Sequence, residues 1–215
     1  MSPRYSISVI YYGRGDPVLN DDPSHVGIGV DLEEALPSTC FLHHVRCPTQ
    51  TRYMYDPGPT QPLSSDPVLW GRCTLVDDLS SEDAVNANGL LQAFGEDEKY
   101  LPEWNTGNGQ DWMVGAVGML EQNTMLEAGE HAFWKALIGK RAEEVGAICR
   151  ASGKTWVKGD LPKPDSIDAR WSSEEANQAD KSIDNQHLRQ RVVTMEKLLG
   201  GKLLTARKSG SSETS

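Results

Sequence analysis

Two short segments carry the residue types from which a reaction site could be built. In Ser24-His-Val-Gly-Ile-Gly29 a histidine is followed by glycines at alternate positions. In an extended chain His25, Gly27 and Gly29 share one face, and Val26, Ile28 and Val30 share the other. Glycine weakens a strand, so two on one face imply a close neighbour to the backbone beside the imidazole. A helix end is the natural candidate. The second segment is Gly107-Asn-Gly-Gln-Asp-Trp112. Asn108 is a good N-cap there, and Asp111, three residues on, completes a capping-box arrangement. Gly109 then stands in the first turn of a helix, among N–H groups that lack intrahelical partners. A cysteine at that point would have a lowered pKa, and the same donors would hold the oxyanion of an acyl-transfer intermediate. Gly109 has no side chain, so the thiol route is closed at that position.

An imidazole acting as a base needs a second polar group to orient it. Cys40-Phe-Leu-His-His-Val-Arg-Cys47 supplies two candidates, His43 and His44, which a strand points to opposite faces. Sequence alone does not set the register that decides which one joins His25; His44 is preferred. The same run invites a zinc reading, but Cys40 falls with His44 and His43 with Cys47. Two ligands per face are too few, so no metal and no cofactor are expected. Nor can Cys40 replace the missing nucleophile within its strand, since four residues of strand separate it from His44 by roughly 13 Å. The acidic run Asp77-Asp-Leu-Ser-Ser-Glu-Asp83 reads as a strand end feeding a carboxylate-rich helix start. A lone histidine at a strand end is more often a satisfied structural group than a catalytic one. The matching helix start is what gives His25 a second meaning.

The elements that must position these residues change period along the chain. Strands are predicted at Tyr5 to Tyr12, His25 to Asp31, Thr39 to Cys47, Arg52 to Tyr55 and Arg72 to Val76, with Pro- and Gly-rich loops between them. Helices are predicted from Ser81 to about Phe94, capped by Ser80 or Ser81, from Asn108 to about Gln122, and from about Gly129 to Ala151. Strands followed by helices is the α+β pattern. Residues 1–151 therefore read as one domain and 152–173 as a polar connection anchored by Trp156 and Trp171. Residues 174–207 read as an amphipathic helix with Leu188, Val192, Met195 and Leu199 on one stripe, and 208–215 as a tail. The stripe of 174–199 would serve docking on the domain or self-association.

With 215 residues and a formal net charge of -10, the chain suits one soluble domain. Its charge disfavours nucleic acid or an anionic membrane as partner and leaves a small-molecule ligand as the expectation. No signal peptide or span of membrane length is read, and the four cysteines show no framework spacing. A cytoplasmic protein with reduced, buried thiols is expected.

A histidine strand followed, after further strands, by a helix start of Asn-Cys-Gln type resembles the circularly permuted NlpC-like branch of papain-fold proteins. More narrowly, the chain is similar to a fungal family with an Asn-Cys-Gln-x-Trp helix start, over Arg4 to about Ala151. The resemblance implies an antiparallel sheet of about five strands packed on helices. It assigns His25 as the base and Asn108, Gly109, Gln110, Asp111 and Trp112, with Gly27, as the ligand or oxyanion pocket. The departure is Gly109 in place of the cysteine. A pseudoenzyme that still binds an acyl- or amide-containing ligand follows from this. The alternatives are a non-covalent acid–base enzyme of fungal small-molecule tailoring or cyclisation, and an adaptor acting through the C-terminal helix.

Overall fold

The computed structural model describes residues 3–13, 24–32, 40–48, 51–60, 63, 66 and 68–159. Contacts divide the chain into Met1–Trp171 and Ser172–Ser215, and every described residue belongs to the first unit. Trp171, the expected helix over 174–207 and the expected tail over 208–215 lie outside the described residues.

The chain lays down its sheet first and its helices afterwards. The strands are β1 (Tyr5–Tyr12), β2 (His25–Leu32), β3 (Cys40–Arg46), β4 (Met54–Tyr55), β5 (Gly58–Pro59), β6 (Leu69–Leu79) and, after the helices, β7 (Trp156–Lys158). They form one antiparallel sheet in the order β4-β3-β2-β1-β6-β7, with β5 also paired to β3. The sheet thus has seven strands where about five were expected. The additions are pieces of two or three residues, too short to show a period in sequence and recruited by pairing to a longer neighbour. One of them, β7, lies inside the stretch read as a polar connection. Trp156 explains its place, because the indole packs against Gly71 of β6, where any Cβ would overlap it.

Four α-helices follow β6: α1 (Ser81–Glu96), α2 (Gly109–Gln122), α3 (Glu130–Lys135) and α4 (Ala142–Ala151). Ser80 caps α1, its hydroxyl accepting from the Asp83 N–H at 3.1 Å, and Glu82 and Asp83 line the first turn. The acidic run before α1 is therefore a strand end and a helix start. The single helix expected from Gly129 to Ala151 is two. Its break falls at Gly139, whose φ of 77° is a left-handed conformation that a helix interior does not contain.

The central strand β1 is buried on both faces, which sorts the core into two layers. Ile7, Val9, Tyr11, Val26, Ile28, Val30 and Val45 face the helices and pack with Leu91, Phe94, Trp112, Val117 and Leu120. Ile10, Tyr12, Cys40 and Leu42 face the other way and pack with Leu63, Val68 and Leu69. Burial of the first layer against α1 and α2 supplies the larger apolar area and so the greater share of the driving force.

Candidate functional site

The two halves of the expected constellation sit at one end of the sheet. His25 opens β2 and His44 lies near the end of β3, the strand antiparallel to it. Their rings meet edge to face, with His25 Nε2 2.7 Å from His44 Nδ1. The preferred partner of His25 is therefore the one the register brings. Beyond His44, its Nε2 stands 3.8 Å from Asp56 Oδ2, and the same carboxylate pairs with the Arg46 guanidinium. No motif in the sequence marks Asp56 or Arg46 as a site residue, although Arg46 stands two residues from His44 and so on the same face. Asp56 belongs to a Pro-Gly loop, and only tertiary structure brings it in.

Burial lowers both imidazole pKa values. His25 falls to about 3, with the positive charge of Arg46 as a smaller cause. His44 falls well below its ordinary value through burial, then His25, Arg46 and His43. At neutral pH the pair is uncharged. With the carboxylate on its Nε2 side, a His44 tautomer protonated on Nε2 leaves Nδ1 to accept from the Nε2–H of His25.

His43 has a different fate. It is buried on the helix-facing side, with Nδ1 2.6 Å from the Tyr55 hydroxyl and Nε2 2.8 Å from Asn88 Oδ1. Asn88 donates its amide N–H to the Ala84 carbonyl at 2.9 Å, so its oxygen faces the ring. Nε2–H of His43 therefore donates to Asn88, and Nδ1 accepts from Tyr55. Burial lowers its pKa to about 4, partly offset by the Asn88 bond. This histidine ties β3 to α1 and β4, and both its nitrogens are occupied.

The helix start is built as the sequence predicts. Asn108 Oδ1 accepts from the Gln110 N–H at 2.7 Å, and Asp111 Oδ2 accepts from the Asn108 N–H at 2.7 Å. Gln110 is buried and bridges two segments. Its amide donates to the Ser24 carbonyl at 3.3 Å and accepts from the Gly139 N–H at 2.7 Å. Trp112 is buried beside the rings of Tyr55 and Phe94. Gly109 lies over Val45, and a Cβ built there would make ordinary van der Waals contact with Val45 Cγ2 and its carbonyl oxygen, both at 3.9 Å.

One expectation is corrected. The glycines beside His25 do not receive a helix end. A Cβ on Gly27 would collide with Leu42 and His44 of β3, and one on Gly29 with Ile10 of β1 and Cys40. Those neighbours belong to the second layer, so His25, Gly27, Gly29 and His44 line the sheet face turned away from α2. Cross-strand side chains, not a helix, demand the small residues. The imidazole pair and the helix start are linked instead around the end of the sheet. Ser24, next to His25, holds Gln110, and Val45, next to His44, lies under Gly109. Cys40 is buried in the second layer, and burial pushes its thiol up to about 12.

Among the described residues no group of three or more His, Cys, Asp or Glu side chains is placed to share a metal, and no helix is long and apolar enough to cross a membrane. Comparison with protein-family models, curated proteins and solved structures finds no match for the chain.

Proposed function

We propose that the chain is a catalytically degenerate papain-like protein of the permuted type, cytoplasmic, which retains a histidine-lined site for a small molecule or an acyl- or amide-containing ligand. The observation that supports this reading is the His25–His44 bond of 2.7 Å, on the sheet face turned away from α2 and joined to its first turn through Ser24 and Gln110. A base held by a second polar side chain from the neighbouring strand is the arrangement that activates a thiol nucleophile. Here the nucleophile position is Gly109, which has space for a side chain and none present. His25 then serves to bind, its ring held by His44, while covalent acyl transfer through position 109 is lost.

The substitution Gly109→Cys tests this reading. Alkylation of the introduced thiol by iodoacetamide, followed against pH, should give an apparent pKa well below the ordinary 8.5 or so. An ordinary value would remove the papain-like assignment. A second reading, non-covalent acid–base chemistry, is supported by the His25–His44 contact of 2.7 Å, a pair across which a proton can be passed. Metabolite extracts of cells carrying His25→Ala should then lack a product that the unaltered gene supports, with the variant still folded.

A further inference from the structure

We propose that Cys73 and Cys149 are an oxidation site, a dithiol that a small hydroperoxide converts to a disulfide locking α4 onto β6. It is independent of the histidine site. The strand and the helix meet through one indole: a Cβ on Gly71 of β6 or on Gly146 of α4 would lie within 2.7 Å of the same atom, Trp156 Cε2. The two backbones thus approach as closely as a pair of glycines allows. Cys73 stands two residues from Gly71 and on its face of the strand, and Cys149 three residues from Gly146 and on its face of the helix. The directions also agree. α4 turns back through 152–155 into β7, which runs antiparallel to β6 with Trp156 opposite Cys73, so α4 runs along β6. In that turn the Lys154 N–H donates to the Cys149 carbonyl at 2.9 Å, and the Thr155 carbonyl accepts from the N–H of Thr74 at 3.2 Å. Consecutive residues therefore hold Cys149 and the neighbour of Cys73. Both cysteines are fully buried in the helix-facing layer.

The two thiols differ in character. A hydrogen bond from Cys73 lowers the Cys149 pKa against the effect of burial, and the charges of Lys154 and Arg150 act with it and that of Glu130 against it. The same bond, then burial, raises Cys73, whose S–H also has the Thr74 carbonyl at 3.8 Å. Cys149 is thus the nucleophile and Cys73 the thiol that resolves it. The Lys154 side chain, paired with Glu130, is 20 % exposed. Beside the pair β7 is a three-residue strand at the edge of the described sheet, with Val157 exposed. Such a segment opens locally at little cost, enough to admit a molecule little larger than water. The Cys149 thiolate attacks one peroxide oxygen, the O–O bond breaks, and the departing hydroxide takes up the proton Cys149 released. Cys73 then attacks the sulfenic sulfur, the S–S bond forms, and hydroxide leaves with the Cys73 proton as water. Two thiols lose two electrons and two protons, and one peroxide becomes two waters.

The test needs no variant. The folded full chain would be treated with hydrogen peroxide, alkylated in denaturant and digested without reduction, with peptide mass spectrometry locating the bonds. A Cys73–Cys149 cross-link should dominate, should vanish with dithiothreitol, and should shift the urea midpoint of unfolding upward, because it closes a long loop in the unfolded chain. The same treatment in concentrated urea should instead give mainly Cys40–Cys47, the pair closest in sequence. In the folded chain, dominance of Cys40–Cys47 or oxidation of the half-buried Cys47 alone would overturn the proposal. So would a cross-link that lowers the midpoint, since it would have formed only in an opened chain. Cys73→Ser removes the resolving thiol and should leave Cys149 to gain oxygen as sulfinic acid. If Cys149 stays reduced in that variant while Cys47 oxidises, its role as the nucleophile is lost.

Discussion

His43 and His44 are neighbours on one strand, equally buried, and they do opposite things. On the helix side of the sheet, His43 gives its proton to Asn88 and accepts one from Tyr55. Both partners are neutral, and the ring acts as a cross-link among β3, β4 and α1. On the other side, His44 meets a second imidazole and the edge of a carboxylate already engaged by Arg46. A proton can pass between the two imidazoles, because each ring can both give and take one. Burial alone does not mark a functional histidine. The partner does, since a neutral amide fixes one tautomer whereas another imidazole leaves two accessible.

The contrast is open to direct attack. Replacing His43→Ala should cost about 3 kcal/mol, because it opens a cavity and leaves Tyr55 and Asn88 without partners. His25→Ala should cost less, about 1–2 kcal/mol, because His25 is only half-buried whereas His43 is buried. Urea denaturation of both variants measures this, and equal losses would erase the distinction. Acid should destabilise the fold next most strongly. A histidine whose folded pKa lies below its unfolded value of about 6.5 contributes stability above that value, and loses it as pH falls through the folded pKa. For His43 the window runs from about 6.5 down to about 4 and is worth roughly 3 kcal/mol. His25 acts in the same direction and to lower pH. Stability profiles of the unaltered chain and His43→Gln should converge toward acid; parallel profiles would mean that His43 is not buried neutral. The smallest effect is expected from Asp56→Asn, about 1 kcal/mol, accompanied by a change in the His44 tautomer seen in imidazole nitrogen NMR. An unchanged tautomer would show that Asp56 does not orient the pair.

Much of the site was legible because it is local. Asn108 and Asp111 cap a helix through bonds spanning two and three residues, and any chain with those residues at that spacing can form them. Ser80 and Asp83 repeat the device at α1. The glycines were misread for the complementary reason. Gly27 and Gly29 announce a close neighbour, but the sequence does not say whether it is a helix end or a side chain across the sheet. The answer, Leu42 and Ile10, depends on register. The expected long helix over 129–151 broke at Gly139 without a proline to mark it. That turn is held by Gln110, a residue 29 positions away.

By itself, then, the sequence determined the α+β order, the capped start of α2, the absence of a thiol at Gly109 and the two opposed faces of His43 and His44. Each follows from backbone period or from bonds within one turn. Tertiary structure decided which histidine joined His25, which layer that pair entered, and that Asp56 and Arg46 stand behind it. Those outcomes rest on antiparallel register, where a slip of one residue exchanges the two faces of a strand and would have set His43 in the place of His44.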